Sequence, residues 1–279
     1  MDHISLCEWV EAAHLREQLR VLSPEARACS LSIAGGVAAL TVPEFGRKLN
    51  HVTGAGVREV LSAEHFEQVE VAYAARGIPL EIDLCPHAQP PALELLAARG
   101  YHVNAFTNVY WSELSAPLSA ATGLRLRRVG REEHEAFVGL SVRGFAAHSA
   151  PRPPALLEAL ARAATARADT RLYVAESGDG VVGSAAFALV PTERGSVAYL
   201  YLASTLPEFR RRGVQAALLA LRAREAQQVG AVFATLTARP GTSSGRNAQR
   251  CGFTLAYTKP TFRRACATSD HSQATGRSV

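Results

Sequence analysis

The sequence predicts a mixed α/β fold of two similar domains, and three observations support this. A run of hairpin-like strands precedes one strand–helix–strand crossover, which adds a parallel pair to an otherwise antiparallel sheet. One order of elements occurs twice along the 279 residues. Between the two occurrences lies a small, turn-prone and almost uncharged stretch. We therefore expect domains at residues 1–114 and 124–264, a linker at 115–123, and a disordered tail at 265–279.

The first elements of the second domain follow from local patterns. Alternation over Leu124–Val129 indicates a strand, and acidic residues in the first turn of Arg131–Phe145 indicate a helix. Pro153–Ala166 opens with proline and is predicted to be a second helix. Within Arg171–Val190, a Ser-Gly-Asp-Gly turn separates two β-rich runs. These segments therefore predict a strand, two helices and a hairpin.

The predicted crossover begins at the strand SVAYLYLAS. This strand leads into the segment TLPEFRRRGVQAALLA, residues 205–220, whose alanine- and leucine-rich part indicates a helix that continues to about Val229. The run AVFATLTA, Ala231–Ala238, then indicates a returning strand. The two strands are therefore predicted to be parallel neighbours.

The two halves end in the same order of elements. Each runs helix, glycine, strand, proline, short helix, glycine–aromatic pair and strand. The corresponding positions are Gly77 and Gly230, Pro86 and Pro240, Gly100 and Gly252, and Tyr101 and Phe253. Self-similarity of this kind indicates a duplicated domain.

Composition excludes several classes of protein. The hydrophobic content of 48% is that of a globular protein, and no apolar run reaches the roughly 18 residues of a membrane span. The five cysteines are widely spaced without a CxxC pair, so neither disulfides nor a zinc site are indicated. Despite a net charge of +5, arginines outside 210–212 are scattered among acidic residues. We expect a cytoplasmic protein that binds no metal, membrane or nucleic acid.

Three arginines at a predicted helix start indicate an anion site. Arg210, Arg211 and Arg212 precede the helix, whose positive N-terminal end repels them unless an anion is present. Gly213 allows close backbone approach, and residues 210–216 offer successive N–H groups. The segment therefore predicts a phosphate cradle, with a solvated basic surface as the alternative.

This segment resembles the acyl-CoA pyrophosphate loop of the GNAT N-acetyltransferase superfamily, [RQ]xxGx[GA]. Arg210 and Gly213 match the motif, and Gln215 stands where the second glycine is usual. Downstream, RNAQRCGF, residues 246–253, resembles the second cofactor segment of that superfamily. The element order also matches over residues 124–262, and the first half resembles a degenerate copy. The whole is thus similar to tandem-GNAT proteins.

The resemblance implies a fold and a cofactor site. Each half would be a mostly antiparallel sheet with a splayed parallel pair and flanking helices, and acetyl-CoA would be the cosubstrate. The pantetheine would pair with Leu202, Ala203, Ser204, Thr205 and Leu206. The pyrophosphate would be held by Arg210, Arg211, Arg212, Gly213, Val214, Gln215 and Ala216. Ser243, Ser244 and Asn247 would lie near the pantetheine or thiol end, although Asn247 alternatively caps the short helix.

The resemblance also implies direct attack of a primary amine, on a small molecule or peptide, on the thioester. This chain has Tyr199 where family members often carry a catalytic glutamate, and Ala248 where they carry a tyrosine acid. Tyr199, Tyr201 and Tyr257 are therefore the candidate acids, with half-buried strand tyrosines as the alternative. Such a chain would be a monomer or homodimer, with a first half that shapes the acceptor pocket. The alternatives are a non-catalytic acyl-CoA sensor and a nucleic-acid-binding protein.

Overall fold

A computed structural model of the chain describes residues 2–114, 123–146, 152–178 and 180–264. The helices are α1 His3–Arg20, α2 Gly46–Leu49, α3 Ala63–Ala74, α4 Pro91–Ala98, α5 His134–Ala146, α6 Pro154–Ala166, α7 Val214–Gln228 and α8 Ser243–Arg250. The strands are β1 Cys29–Ile33, β2 Gly36–Leu40, β3 Val52–Thr53, β4 Glu81–Asp83, β5 Tyr101–Ser112, β6 Arg125–Arg128, β7 Thr170–Ser177, β8 Gly180–Thr192, β9 Gly195–Thr205, β10 Ala234–Ala238 and β11 Thr254–Arg264.

Two of the predicted segments cannot be compared with these elements. All but the last residue of the expected linker, and all of the expected tail at 265–279, lie outside the described residues. Among the helices that are described, none combines the length and the apolar character needed to cross a bilayer.

The strands form one mixed sheet of eleven, in the order β1-β2-β3-β4-β11-β5-β10-β9-β8-β7-β6. Two neighbouring pairs are parallel, β3 with β4 and β9 with β10, and the others are antiparallel. Each parallel pair is joined by a crossover helix, α3 in the first half and α7 in the second. The predicted fold class, a mixed sheet with one parallel pair in each half, is therefore confirmed.

The halves are joined through an exchange of their last strands. Strand β5 of the first half lies between β10 and β11, whereas β11 of the second half lies between β4 and β5. The long pair β5–β11 extends from Trp111 opposite Thr254 to Tyr101 opposite Arg264. Each half-sheet is thus completed by a strand of the other half, a connection that local sequence patterns do not predict.

Alternation along β9 sends its side chains to two different faces of the sheet. Leu200 packs in a core cluster with Leu218 of α7 and Ala248 of α8. Tyr199 and Tyr201 point to the opposite face, where α1, α5 and α6 lie. At the end of β9, α7 and α8 therefore cover one face of the sheet, and α1, α5 and α6 cover the other.

Helix α1 lies between the two halves and packs on both. The side chain of Asp2 caps it by accepting a hydrogen bond from the Ser5 N–H at 2.7 Å. Its first turns share a core with second-half residues Val190, Val197 and Tyr199, and its last turns share one with Val37, Ala39, Leu156 and Leu160. From Leu6 to Leu19 every residue is buried or half-buried. A helix from the first half thus covers β9 of the second.

Candidate active site

Strands β9 and β10 pair only through the start of β10 and the middle of β9, and then separate. Ala198 is opposite Ala234 and Tyr199 is opposite Thr235, after which β9 continues to Thr205 without pairing to the described residues of β10. The β9 edge beyond Tyr199 is therefore open. An open strand edge offers backbone donors and acceptors to an extended ligand.

A β-bulge lies at the start of this open edge. Between the pairs Ala186–Tyr201 and Ser184–Ser204, the single residue Ala185 faces both Leu202 and Ala203. Leu202 has a φ of 51°, in the left-handed region that non-glycine residues rarely adopt. A bulge next to an open edge turns local N–H groups away from the ladder.

Arg222 of α7 supports the bulge from inside the core. Its Nη1 donates to the carbonyl oxygens of Ala186 at 3.0 Å and Tyr201 at 3.2 Å, and its Nε donates to that of Leu218. Burial lowers the pKa of Arg222 to about 10, so the guanidinium stays charged at neutral pH. A charged buried donor therefore holds the backbone on both strands at the bulge.

Four of the expected cofactor-binding residues, Ser204, Thr205, Leu206 and Gln215, use polar groups within the protein. The side-chain amide of Gln215 donates to Ser204 O and Thr205 Oγ1, both at 2.7 Å. The backbone N–H of Leu206 donates to Val182 O at 3.0 Å. The Gln215 side chain thus braces the end of β9 against α7, and Leu206 has no free N–H for a ligand.

The segment predicted to be a phosphate cradle, residues 210–216, lies at the start of α7. Gly213 occupies the N-cap position with a φ of 77°, and no side chain caps the helix. The N–H groups of the first turn therefore remain available to an anion. Arg211, also at positive φ, and Arg212 are both exposed, and the Arg212 guanidinium lies 5.1 Å from the Phe209 ring centroid.

Helix α8 borders the cradle. Thr242 caps it by accepting a hydrogen bond from Gly245 N, so the alternative interpretation of Asn247 as its N-cap is wrong. Asn247 lies one turn after the exposed Ser243 and Ser244, on a shared helix face. The thiol of Cys251 donates to Ala216 O at 3.7 Å and connects the end of α8 to the first turn of α7.

The hydroxyl groups of the three candidate tyrosines contact three different partners. The Tyr199 hydroxyl lies 3.5 Å from Thr237 Oγ1 of β10, across the point where the strands diverge. The Tyr201 hydroxyl lies 2.9 Å from Thr170 Oγ1 of β7. The Tyr257 hydroxyl instead donates to buried Glu8 at 2.5 Å. Only Tyr199 therefore reaches across the open strands. Burial raises the pKa of Tyr199 and that of Tyr201, the latter to about 12.

His14 of α1 was not predicted as a site residue, and its ring lies directly over Tyr199 and Tyr201. Its ring centroid is 4.4 Å from that of Tyr199 and 4.3 Å from that of Tyr201. Burial and the neighbouring Arg167 guanidinium depress the pKa of His14, which keeps the ring neutral. Glu11, one turn earlier, faces the same region. The only signal in the sequence is a series of polar residues every third position, 8, 11 and 14, within an apolar stretch.

In the first half, ionic contacts fill the position that corresponds to the gap between β9 and β10. Thr53 and Asp83 form the last pair of β3 and β4, as Tyr199 and Thr235 do for β9 and β10. The fully buried Lys259 ammonium donates to Thr53 Oγ1 at 3.0 Å, Glu8 Oε1 at 3.1 Å and Glu11 Oε2 at 2.8 Å. The gap that is open in the second half is therefore occupied here.

The same cluster contains three groups with the chemistry of metal ligands. Ligand atoms of Glu11, His51 and Asp83 lie within 4.8 Å of one another. However, Lys259 pairs with Glu11, and the Arg47 guanidinium binds both oxygens of Asp83. Two cations already neutralise these carboxylates, so we assign no metal site to them.

The first half also lacks a free cradle. Helix α3 has a capping box in which Ser62 Oγ accepts from His65 N and the His65 ring accepts from Ser62 N. The preceding glycine loop is closed, because Gly56 N donates to Ala34 O and Gly56 O accepts from Gln89 N. The helix start that corresponds to α7 is thus already capped.

Comparison with protein families identifies one match. Residues 136–253 match the acetyltransferase (GNAT) family. The match begins in α5 and ends directly after α8, so it includes the open strand edge, the cradle and Asn247. No curated protein matches the sequence significantly.

Solved structures of similar fold cover nearly the whole chain. A GCN5-related N-acetyltransferase from Kribbella flavida aligns with a TM-score of 0.66 and 18% identity, over 95% of this chain and 97% of its own. A tandem GNAT protein from the clavulanic acid biosynthesis pathway aligns with a TM-score of 0.60 and 13% identity, over 93% of both chains. A GCN5-related N-acetyltransferase from Sphaerobacter thermophilus aligns at 0.58 and 14% identity, over 85% of this chain and 75% of its own.

Proposed function

We propose that the chain transfers an acetyl group from acetyl-CoA to a primary amine of a small molecule or peptide. The match of residues 136–253 to the GNAT acetyltransferase family and the similar fold of a tandem GNAT protein support this proposal. One observation carries this proposal above the others. The uncapped start of α7, with two exposed arginines, lies beside the open edge of β9. An anion site next to an open strand edge fits the pyrophosphate of coenzyme A and the pantetheine arm attached to it.

In this proposal the pyrophosphate binds the N–H groups of residues 211–216 with Arg211 and Arg212. Arg210 contributes by anchoring the loop, since its Nη2 donates to Gly144 O of α5 at 3.3 Å. The pantetheine lies along residues 202–205, and Ser243, Ser244 and Asn247 border its other side. This assignment is supported by the open β9 edge and by the contact between α8 and α7.

The proposed reaction is direct attack in a ternary complex. The amine nitrogen bonds to the acetyl carbon, the carbon–sulfur bond breaks, and its electron pair leaves on the coenzyme A sulfur. Backbone N–H groups at the bulge of β9 would stabilise the oxyanion. Tyr199 would supply the proton for the thiolate, because its hydroxyl reaches across the diverging strands.

The acceptor would bind on the α1 side of β9, opposite the α7 layer. First-half side chains, His14 and Glu11, face the second-half tyrosines there. This supports a division of labour in which the second half binds the cofactor and the first half shapes the acceptor pocket. We also propose that the protein is cytoplasmic and acts as a monomer or a homodimer.

Release of the coenzyme A thiol, measured with acetyl-CoA and a panel of primary amines, tests the proposed function. The panel contains amino acids, polyamines, aminoglycosides and peptides with free N-termini. We expect acceptor-dependent thiol release and an acetylated amine detected by mass spectrometry. Tight coenzyme A binding without turnover of any amine would instead support a non-catalytic acyl-CoA sensor. That alternative is favoured by one observation, the tyrosine at position 199 where relatives often carry glutamate.

A further inference from the structure

We propose that Glu11, on α1 of the first half, is the general base that accepts a proton from the amine in the second-half active site. The inference rests on the proposed acetyl transfer and goes beyond it, since it assigns a catalytic residue to the half that has no cofactor loop. Strand β9, Gly195–Thr205, contains no carboxylate or histidine that could act as a base. The chain would then need both halves for one reaction.

The position of α1 brings Glu11 to the acceptor side of β9. His14 is in ring contact with both Tyr199 and Tyr201, and Glu11 precedes it by three residues. Side chains three apart share a helix face, with about 5 to 6 Å between their Cβ atoms. The Glu11 side chain is 12% exposed, whereas that of neighbouring Glu8 is 1% exposed. Of the two α1 carboxylates that pair with Lys259, Glu11 is therefore the more accessible.

The hydrogen bonds of the cluster allow Glu11 to change its protonation state. Its Oε2 accepts from Lys259, and within the described residues its Oε1 accepts no hydrogen bond. Lys259 also donates to Glu8, so the ammonium keeps a carboxylate partner when Glu11 is protonated. Glu8 is the weaker candidate, since Tyr257 and Lys259 both donate to it.

The surroundings of Glu11 favour proton uptake. Burial raises the pKa of Glu11 above its ordinary value, with the carboxylates of Glu8 and Asp83 acting in the same direction and Lys259 opposing them. A raised pKa brings the base closer in pKa to the ammonium group that it must deprotonate. The titratable and charged groups that face it are Cys7, Glu8 and His14 of α1, Lys48 of α2, His51, Asp83 of β4, Tyr199 of β9 and Lys259 of β11.

The protons of the reaction then balance. The acceptor binds as an ammonium ion, and Glu11 takes one proton and later returns it to solvent. The freed nitrogen lone pair forms the bond to the acetyl carbon as the carbon–sulfur bond breaks. The second proton of the nitrogen passes to the thiolate through the Tyr199 hydroxyl. The products are the acetamide, coenzyme A with its thiol, and one proton in solution.

Glu11→Gln tests this role, with Glu17→Gln as the matched control on the same helix. The Glu17 side chain is 43% exposed and forms an ion pair with Arg20, one turn away. With the best amine of the panel, we expect Glu11→Gln to lower kcat by about 100-fold or more, since general base catalysis typically contributes 10²- to 10⁴-fold. Coenzyme A affinity should stay unchanged in both variants. The wild-type kcat/KM should fall at acid pH as Glu11 is protonated, and this limb should disappear in Glu11→Gln.

The outcomes separate this role from the proposed function. An active wild type whose Glu11→Gln variant retains both the rate and the acid limb would overturn the base assignment alone. A wild type that turns over no amine contradicts acetyl transfer itself, and the role of Glu11 with it. Should Glu11→Gln fail to fold, Glu11→Asp keeps the charge opposite Lys259 but withdraws the carboxylate. Glu11→Asp should then be slower with its acid limb intact, and a wild-type rate would count against the proposal.

Discussion

At the scale of single residues, the loop after β9 divides its three arginines between two roles. Arg210 turns back to donate to the backbone of Gly144 in α5, which secures the loop to the body of the domain. Arg211 and Arg212 stay exposed beside an uncapped helix start. The positive end of α7 repels them, and an anion bound at this helix start would offset that repulsion.

Arg211→Ala and Arg212→Ala should each weaken coenzyme A binding by about ten- to a hundred-fold, because each removes a charge-assisted hydrogen bond of roughly 1.5 to 3 kcal/mol. Calorimetric titration measures the dissociation constants. Arg224→Ala is the matched control, since it removes an exposed arginine from the same helix away from the cradle. Equal affinities in all three variants and the wild type would contradict the pyrophosphate assignment.

His14 predicts a dependence of stability on pH. Its pKa is depressed in the folded state, so below about 6.5 the unfolded chain takes up a proton that the folded chain does not. The free energy of unfolding should therefore fall as pH decreases from 6.5 to 5, by about 1.4 kcal/mol per pH unit for one such histidine. His51, whose pKa burial lowers to about 3, adds a similar contribution.

Replacing His14 by Phe should keep a ring against Tyr199 and Tyr201 but reduce this slope by the contribution of one histidine. Denaturant unfolding at several pH values between 6.5 and 5 measures the slope. The exposed His102 provides the control, because His102→Phe should leave it at the wild-type value. If the slope in His14→Phe equals that of the control, His14 is not held neutral in the folded protein.

At the scale of elements, the backbone at the start of α7 matters as much as the arginines. Gly213 has a φ of 77° at the N-cap, and Gly230 has the same φ directly after the C-cap of the helix. The first lies in the cradle, whereas nothing lies within 4 Å of a Cβ built on the second. The two glycines thus differ in position but not in backbone conformation.

Gly213→Val should abolish coenzyme A binding, because a β-branched side chain in a left-handed conformation is strained and blocks backbone approach to phosphate. Gly230→Val carries the same backbone strain at the far end of α7 and should retain binding. Calorimetry with folded samples of both variants makes the comparison. Normal binding by Gly213→Val would show that this turn is not the cradle.

Local elements were predictable where the determining residues are adjacent in sequence. The hairpin β7–β8 and helix α7 follow from turn residues and from a contiguous alanine- and leucine-rich run. Helix α1 was not predicted, because it is buried on all sides and has no separate apolar face. Glu11 and His14 were missed for the same reason. Their relation to Tyr199 depends on tertiary packing between the halves, which no local pattern encodes.

At the scale of the whole molecule, the duplicated halves are alike in topology and different in charge. Both have a parallel pair with a crossover helix. In the second half the strands diverge beside a free cradle, whereas in the first half Lys259 fills the corresponding position and α3 is already capped. The first half therefore shares the topology of the second but has neither an uncapped crossover-helix start nor an open gap between its parallel strands.

We expect one coenzyme A per chain, bound in the second half. Native mass spectrometry of the wild type should show a single equivalent, because Ser62 caps the start of α3 and no run of basic residues precedes that helix. A variant with Arg211, Arg212 and Gly213 all replaced should show none. Two equivalents, with one surviving in that variant, would show that the first half is also a working cofactor domain.

The exchange of β5 and β11 sets the order in which the protein can be completed during synthesis. Domains of a multidomain chain generally fold one after another as they leave the ribosome, the N-terminal one first. Here one edge of β4 stays unpaired until β11, residues 254–264, has been translated, about 170 residues later. Until then β5 also lacks β10, its other neighbour. The first half therefore leaves the ribosome with unpaired strand edges, and the two halves reach their final sheet together.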